Sequence, residues 1–179
     1  MPGSALDYLF GLEQFGIKYD LDNIQALVAA LDHPERAYRT VHIAGTNGKG
    51  SVTAMVDAML RAAGHRTGRY TSPHLIAVNE RFVVSGEPVT TTRLESAATL
   101  LRRTVDDLVA HGLLRGQPTF FEGTTAIALE LFRDAGVEVA VCEVGLGGRL
   151  DATNILQPVV TAITSIGFDH QRLLGTTLP

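Results

Sequence analysis

Apolar residues along this chain alternate between helical spacing and short unbroken runs. Leu6, Leu9 and Phe10, with Glu13, predict a helix from Ser4 to Phe15 that Gly16 ends. Ile24, Leu27, Val28 and Leu31 share one stripe of a second helix, Asp22 to Leu31, and Pro34 marks its end. Val41 to Ala44 reads as a buried strand running into a glycine-rich stretch, residues 45–51. Val52, Met55, Val56, Met59, Leu60 and Ala63 then repeat at the helical period, with Gly64 as the stop. Arg69-Tyr70-Thr71 has the character of the end of a second strand.

Residues 79–89 alternate and turn at Ser85-Gly86, which predicts a hairpin. Thr92 and Glu95 predict a capping box opening a helix of about five turns, carried by Leu94, Ala98, Leu101, Val105 and Leu108. Pro118 precedes another helix, Phe120 to Asp134, closed by Gly136. Two further buried strands are expected, Val137 to Cys142 ending at Glu143, and Val159 to Ile163 leading towards Asp169-His170. The pattern predicts an α/β fold, a mainly parallel sheet with helices on both faces. The last nine residues, QRLLGTTLP, complete no further strand, so the fold is expected to break off there.

Composition narrows the picture a little. The 179 residues suffice for one domain with a proper core, and 45% hydrophobic against 19% charged is ordinary for a globular protein. A net charge of −4 offers no footprint for nucleic acid or an anionic membrane surface. No apolar run reaches the ~20 residues of a membrane span, and MPGSALDYLF lacks the features of a secretory signal. One cysteine, Cys142, forms no internal disulfide. A cytoplasmic enzyme fits these facts.

The chemistry begins at Gly45-Thr46-Asn47-Gly48-Lys49-Gly50-Ser51. Between a strand and a helix, such a loop turns backbone N–H groups towards an anion, the helix adds its positive end, and a lysine reaches the outer phosphates. The loop departs from the common phosphate-loop pattern: Ile43 stands six residues before Lys49, where that pattern has glycine, and Gly50 follows the lysine in place of a hydroxyl residue. Ser72, Glu143 and His170 also follow strand-like runs, and ligands of parallel sheets gather beyond the strands' carboxyl ends. Those three side chains have the donors to share a Mg²⁺, although histidine is an unusual Mg²⁺ ligand; the alternative is a capping serine, a loop glutamate and a surface histidine. Gly145 to Asn154 carries three glycines in four positions, suited either to close approach of a ligand or to a turn. His42 is expected to be a satisfied core residue and Cys142 a small buried side chain. Phe120 and Phe121 are either core or an aromatic wall for a flat ring.

Taken together, these segments resemble the folylpolyglutamate/dihydrofolate synthase family of the Mur-ligase superfamily. The resemblance rests on GTNGKGS at 45–51, Tyr70-Thr71-Ser72-Pro73-His74-Leu75 with Asn79-Glu80-Arg81, and Thr119-Phe120-Phe121-Glu122 with Thr124-Thr125-Ala126. It continues through Glu143-Val144-Gly145-Leu146-Gly147-Gly148-Arg149-Leu150-Asp151-Ala152-Thr153-Asn154 and Asp169-His170-Gln171, with Leu174-Gly175 beyond. Other Mur-type ligases share the phosphate loop, the strand-end glutamate and the later histidine. The Ser72–Leu75 and Gly147–Asn154 segments favour the folate branch over the cell-wall branch.

The resemblance implies a P-loop ATPase domain of the Mur-ligase type spanning residues 1–179, with a Rossmann-like carboxyl-terminal domain missing. It implies that Lys49 and the loop amides hold ATP phosphates, that Ser72, Glu143 and His170 ligate Mg²⁺, and that Phe121, Asp151 and Ala152 lie near a pterin-bearing substrate. Lys49, Glu143 and His170 are the expected catalytic set. The implied reaction activates a folate or dihydropteroate carboxylate as an acyl phosphate and joins L-glutamate to it, in a monomer. Family members also carry a carbamate-modified lysine just after Asp-His-Gln, a segment this chain does not reach. The expectation for this chain alone is weak nucleotide binding without amide formation.

Overall fold

The computed structural model of the chain describes residues 4–18, 20–114 and 116–177. Helix α1 (Ala5–Gly11) is opened by a capping box in which Ser4 and Asp7 satisfy each other's backbone N–H. The expected longer helix divides here, because Leu12–Phe15 tightens into a 3₁₀ turn that drives Leu12 into the core before Gly16 turns the chain at φ +63°. Helix α2 (Asp22–Ala30) buries Ile24, Leu27 and Val28 as the stripe requires.

Strand β1 (Arg39–Ala44) leads to helix α3 (Lys49–Ala62). Only part of the apolar stripe of α3 is covered: Val52, Val56 and Leu60 pack on Val41, Ile43, Val139 and Val141, while Met55 and Met59 remain exposed. The covered side of α3 carries two buried polar residues instead, Thr53 and Asp57. Asp57 accepts a 2.5 Å bond from the Thr67 hydroxyl and faces Arg61 and Arg69, tying α3 to the next strand.

Strand β2 (Thr67–Tyr70) pairs antiparallel with β3 (Phe82–Val84), and β3 with β4 (Glu87–Pro88). The hairpin turns at Ser85 and Gly86, both at positive φ, as a tight hairpin demands. Helix α4 (Thr91–Ala110) opens two residues earlier than the Thr92–Glu95 pair suggests. Thr90 is the cap: its backbone is extended and its hydroxyl accepts from Arg93 N–H at 3.3 Å. The hairpin decides this, because buried Val89 is held by its N–H bond to Phe82 carbonyl and the chain is released at Thr90.

Helix α5 (Phe120–Asp134) has the expected bounds and is buried along nearly its whole length. Strand β5 (Val139–Glu143) is wholly buried, but β6 (Val160–Ile163) is not the buried strand its apolar run suggested. It pairs with β1 alone, at the sheet edge, and leaves Val160 and Ile163 exposed. The six strands run in the order β4-β3-β2-β5-β1-β6, with β2, β5, β1 and β6 parallel. Helix α3 covers one face, and α1, α2, α4 and α5 close the larger core on the other. Of the tail, Gln171–Leu174 forms a short helix, α6, while Leu178 and Pro179 lie outside the described residues, as do Met1 to Gly3. No described helix is long and apolar enough to cross a membrane.

Candidate active site

The carboxyl ends of the four parallel strands meet at one edge of the sheet. Beyond β1, the loop 45–48 needs glycine twice. Gly45 has φ +133°, and a side chain there would collide with the Thr164 hydroxyl; Gly48 has φ +83° and caps α3. The segment after β6 clasps this loop. The Ser165 carbonyl accepts from Thr46 and Asn47 N–H at 2.8 and 3.4 Å, and the Thr46 hydroxyl bonds both ends of Gly167 at 3.0 and 3.2 Å. The amides of Thr46 and Asn47 are therefore spent inside the protein. The N–H groups left for an anion belong to the first turn of α3, Lys49 to Ser51, which has no partners within the helix. Lys49 curls back so that Nζ donates to the Thr46 carbonyl at 3.2 Å.

Glu143, at the end of β5, faces this turn. A Cβ at Gly50 would lie 3.6 Å from its Oε2, and the same oxygen accepts from Ser72 N–H at 3.2 Å. Burial raises the Glu143 carboxyl above its ordinary range, and the Ser72 bond and the charges of Lys49 and Arg81 partly oppose that. A buried carboxylate with net desolvation cost beside an anion-binding turn suits a cation between the two. Ser72 and Glu143 thus meet, through the serine's backbone N–H. His170 stands apart from them, in the left-handed region with φ 46°, its side chain largely exposed and its Nε2 3.6 Å from Asp169. It lines the same cavity as Ser72. Among the described residues no three His, Cys, Asp or Glu side chains form a metal cluster, so a cation beside Glu143 would need the Ser72 oxygen and water as further ligands.

On the other side of Ser72 opens a cavity of about 690 Å³, bordered by Phe120, Phe121, Arg81, Asp151, Ala152 and the glycine-rich loop after β5. The size suits a flat, drug-sized molecule. Both phenylalanines reach this cavity while packing on the core. Phe120 stacks on Phe10 at 6.1 Å, and Phe121 lies 6.0 Å from the buried Tyr70 ring. The turn at Thr119 aims them, because Thr119 and Glu122 form a buried capping box with bonds of 2.6 and 3.1 Å.

Asp151 is turned inward. Its Oδ2 accepts from Leu146 N–H at 2.8 Å, and its Oδ1 accepts from Thr153 N–H and hydroxyl at 3.0 and 2.5 Å. The Thr153 hydroxyl continues to His42 Nε2 at 2.7 Å, so His42 is a satisfied core residue. Burial raises the Asp151 carboxyl and lowers the His42 imidazole from their ordinary values. Asp151 closes the 145–154 loop as well as bordering the cavity. Cys142 is buried with its thiol pushed up to about 12, as befits an inert side chain.

Arg81 and Thr119–Glu122 stand in segments that carry the family resemblance, but no site role for Arg81, no capping role for the Thr119–Glu122 pair and no clasp by residues 164–167 was read from the sequence. The box has a readable T-x-x-E signature. Arg81 and the clasp depend on contacts between distant residues and carry no local mark.

No family model matches the chain. Among curated proteins it is 41% identical over 175 residues to a dihydrofolate synthase/folylpolyglutamate synthase of Bacillus subtilis, covering 97% of this chain and 40% of the relative. It is 44% identical over 167 residues to the Mycobacterium tuberculosis enzyme of the same name, covering 88% and 34%. The M. tuberculosis folylpolyglutamate synthase solved with ADP and AMPPCP superposes with a TM-score of 0.87 at 40% identity, over 96% of this chain and 38% of that one. A folylpolyglutamate synthase solved with AMPPCP and folate gives a TM-score of 0.91 at 37% identity, over 97% and 42%. The chain spans about two-fifths of the length of these relatives.

Proposed function

Because this chain belongs to the folylpolyglutamate/dihydrofolate synthase family, as the counterpart of its amino-terminal two-fifths, we propose that it carries the phosphate-activating part of an ATP-dependent ligase. The ligase joins L-glutamate to the carboxylate of folate or dihydropteroate. The observation that carries this reading is the position of Ser72, which borders the aromatic cavity and also donates to Glu143 beside the phosphate loop. A flat acid lying on Phe120 and Phe121 has its carboxylate end directed to where a terminal phosphate would sit.

In this reading the substrate carboxylate oxygen attacks the γ-phosphorus of ATP and ADP leaves, giving an acyl phosphate. The glutamate amine attacks the activated carbonyl, phosphate leaves, and the nitrogen loses a proton as the amide forms. The first-turn amides of α3 and the Lys49 ammonium stabilise charge on the phosphoryl oxygens. Ser72 and Glu143, with His170 once its side chain turns inward, would hold Mg²⁺, which when bound neutralises phosphate charge. Phe121, Asp151 and Ala152 border the ring of the substrate. The family's further domain would supply the remaining contacts to adenine and glutamate, and the setting is a cytoplasmic monomer.

Titration calorimetry of the chain with pteroate, and separately with a UDP-linked muramoyl peptide precursor, tests this. Saturable binding of pteroate alone is expected. Binding of the UDP-linked compound alone would assign the chain to the cell-wall branch.

A further inference from the structure

Arginine side chains buried in proteins are normally matched by an anion. In this chain even some of the less buried arginines have anions: Arg61 and Arg69 share Asp57, and Arg133 has Glu130. Arg81 breaks the pattern. It is only 7% exposed, yet among the described residues it makes no ion pair. Its side chain donates one hydrogen bond, from Nε to His74 Nδ1 at 2.9 Å. The guanidinium carbon lies 5.1 Å from the centre of the Phe120 ring, so the group is held by the imidazole and by the ring. Its terminal nitrogens have no acceptor within the described protein, and the residue lines the cavity together with Ser72 and Phe121.

The placement matters as much as the missing partner. Arg81 stands between the aromatic wall and the Ser72–Glu143 pair, and its charge reaches both sides, acting on the Glu143 carboxyl and the Tyr70 hydroxyl. The backbone fixes it there, since the Arg81 carbonyl accepts from Thr71 N–H at 3.2 Å, just after β2. A guanidinium held at Nε still presents its terminal N–H groups as a fork, the arrangement that matches both oxygens of a carboxylate.

We propose that Arg81 is the carboxylate receptor of this site, taking the carboxylate of the aromatic acid and holding it towards the phosphate loop. The inference rests on the folate-ligase reading above and adds to it the residue that recognises the reacting group. Lysine would supply charge without the fork, and Arg69, already committed to Asp57 on the far side of β2, is not available.

The experiment compares two ligands on one protein, pteroate and its decarboxylated analogue, which keeps the same rings but carries an anilino group in place of the benzoate. Both are titrated into the wild-type chain and into Arg81→Gln and Arg81→Lys, with folding checked by thermal unfolding. The expected result is that Arg81→Gln weakens pteroate by about tenfold to a hundredfold, as loss of a charged hydrogen-bonded pair does. The analogue stays within about twofold on the same scale, and Arg81→Lys falls between. A loss of folded protein would lower both ligands alike, so the ratio is the readout; if the glutamine variant fails to fold, the lysine variant is read in the same way. An unchanged ratio overturns the role of Arg81 while leaving the substrate reading intact. Failure of the wild-type chain to bind either ligand overturns the substrate reading, and this inference with it.

Discussion

Gly145 sets the position of the aromatic wall, and substituting it with alanine isolates that effect. Its φ lies outside the left-handed region, so a side chain adds no backbone strain, only volume. A Cβ there would lie 2.5 Å from Phe121 Cζ, 2.8 Å from Cε2 and 3.0 Å from Asp151 Oδ2, against the roughly 3.5–4.0 Å at which carbon atoms pack. Neither neighbour is loose. The Asp151 oxygen is held by Leu146 N–H at 2.8 Å, and Phe121 leans on Tyr70, whose hydroxyl is bonded to Thr124 and Thr125 at 2.9 and 3.3 Å. The ring borders the cavity, and relief of the clash on that side narrows the site. Overpacking of this kind costs about 1–3 kcal/mol, or a Tm lower by roughly 2–4 °C per kcal/mol in a chain of this size. Phe121→Leu removes the two ring carbons that meet the new methyl. In a denaturation cycle over Gly145→Ala, Phe121→Leu and the double variant, the double variant should be more stable than the sum of the singles by about 0.5–3 kcal/mol. Gly145→Ala should also weaken pteroate in titration. Additivity within roughly 0.5 kcal/mol, or a Gly145→Ala variant as stable as wild type, would refute the packing argument.

Two further changes test the polar part of the site. Burial raises the Glu143 carboxyl, so the folded protein takes up a proton there more readily than the unfolded chain, and stability falls as pH rises from the ordinary glutamate range through the raised value. Glu143→Gln should therefore be more stable than wild type at neutral pH and lose that advantage below about pH 4, which urea titrations at several pH values will read. Thr153→Val leaves Asp151 Oδ1 and His42 Nε2 without their shared hydroxyl, and should cost about 1–3 kcal/mol. The equivalent change at exposed Thr99, bonded only to the carbonyl of Glu95 in its own helix, serves as the control and should be near neutral.

Features written in contiguous residues were legible in the sequence. The strand, glycine loop and helix around residues 41–62 declare themselves by apolar period and glycine spacing, and α5 has the bounds its pattern predicts. The Thr92–Glu95 pair pointed to a cap two residues too late for α4, because the hairpin's hold on Val89, which decides the start, is not written in the local sequence. An apolar run does not reveal whether one neighbour or two will pair with it, so β6 looked buried and is an edge. The site was half legible. Ser72 and Glu143 follow strands and meet, whereas the link from His42 through Thr153 to Asp151 and the clasp of Ser165 on Asn47 join residues more than a hundred positions apart. Arg81 lies in a segment that carries the resemblance, yet its role had no local mark, because what distinguishes it is the absence of an anionic partner among the described residues.

If the turn at Lys49 binds the phosphates of a nucleotide, calorimetric titration of Mg-ATP into the chain and into Lys49→Ala will separate the two proteins. The wild-type chain should bind saturably, and Lys49→Ala should weaken that binding at least about tenfold, the loss expected when a charged hydrogen bond to phosphate is removed. Equal affinity in both proteins, or no binding by a folded wild-type chain, would contradict phosphate binding at this turn.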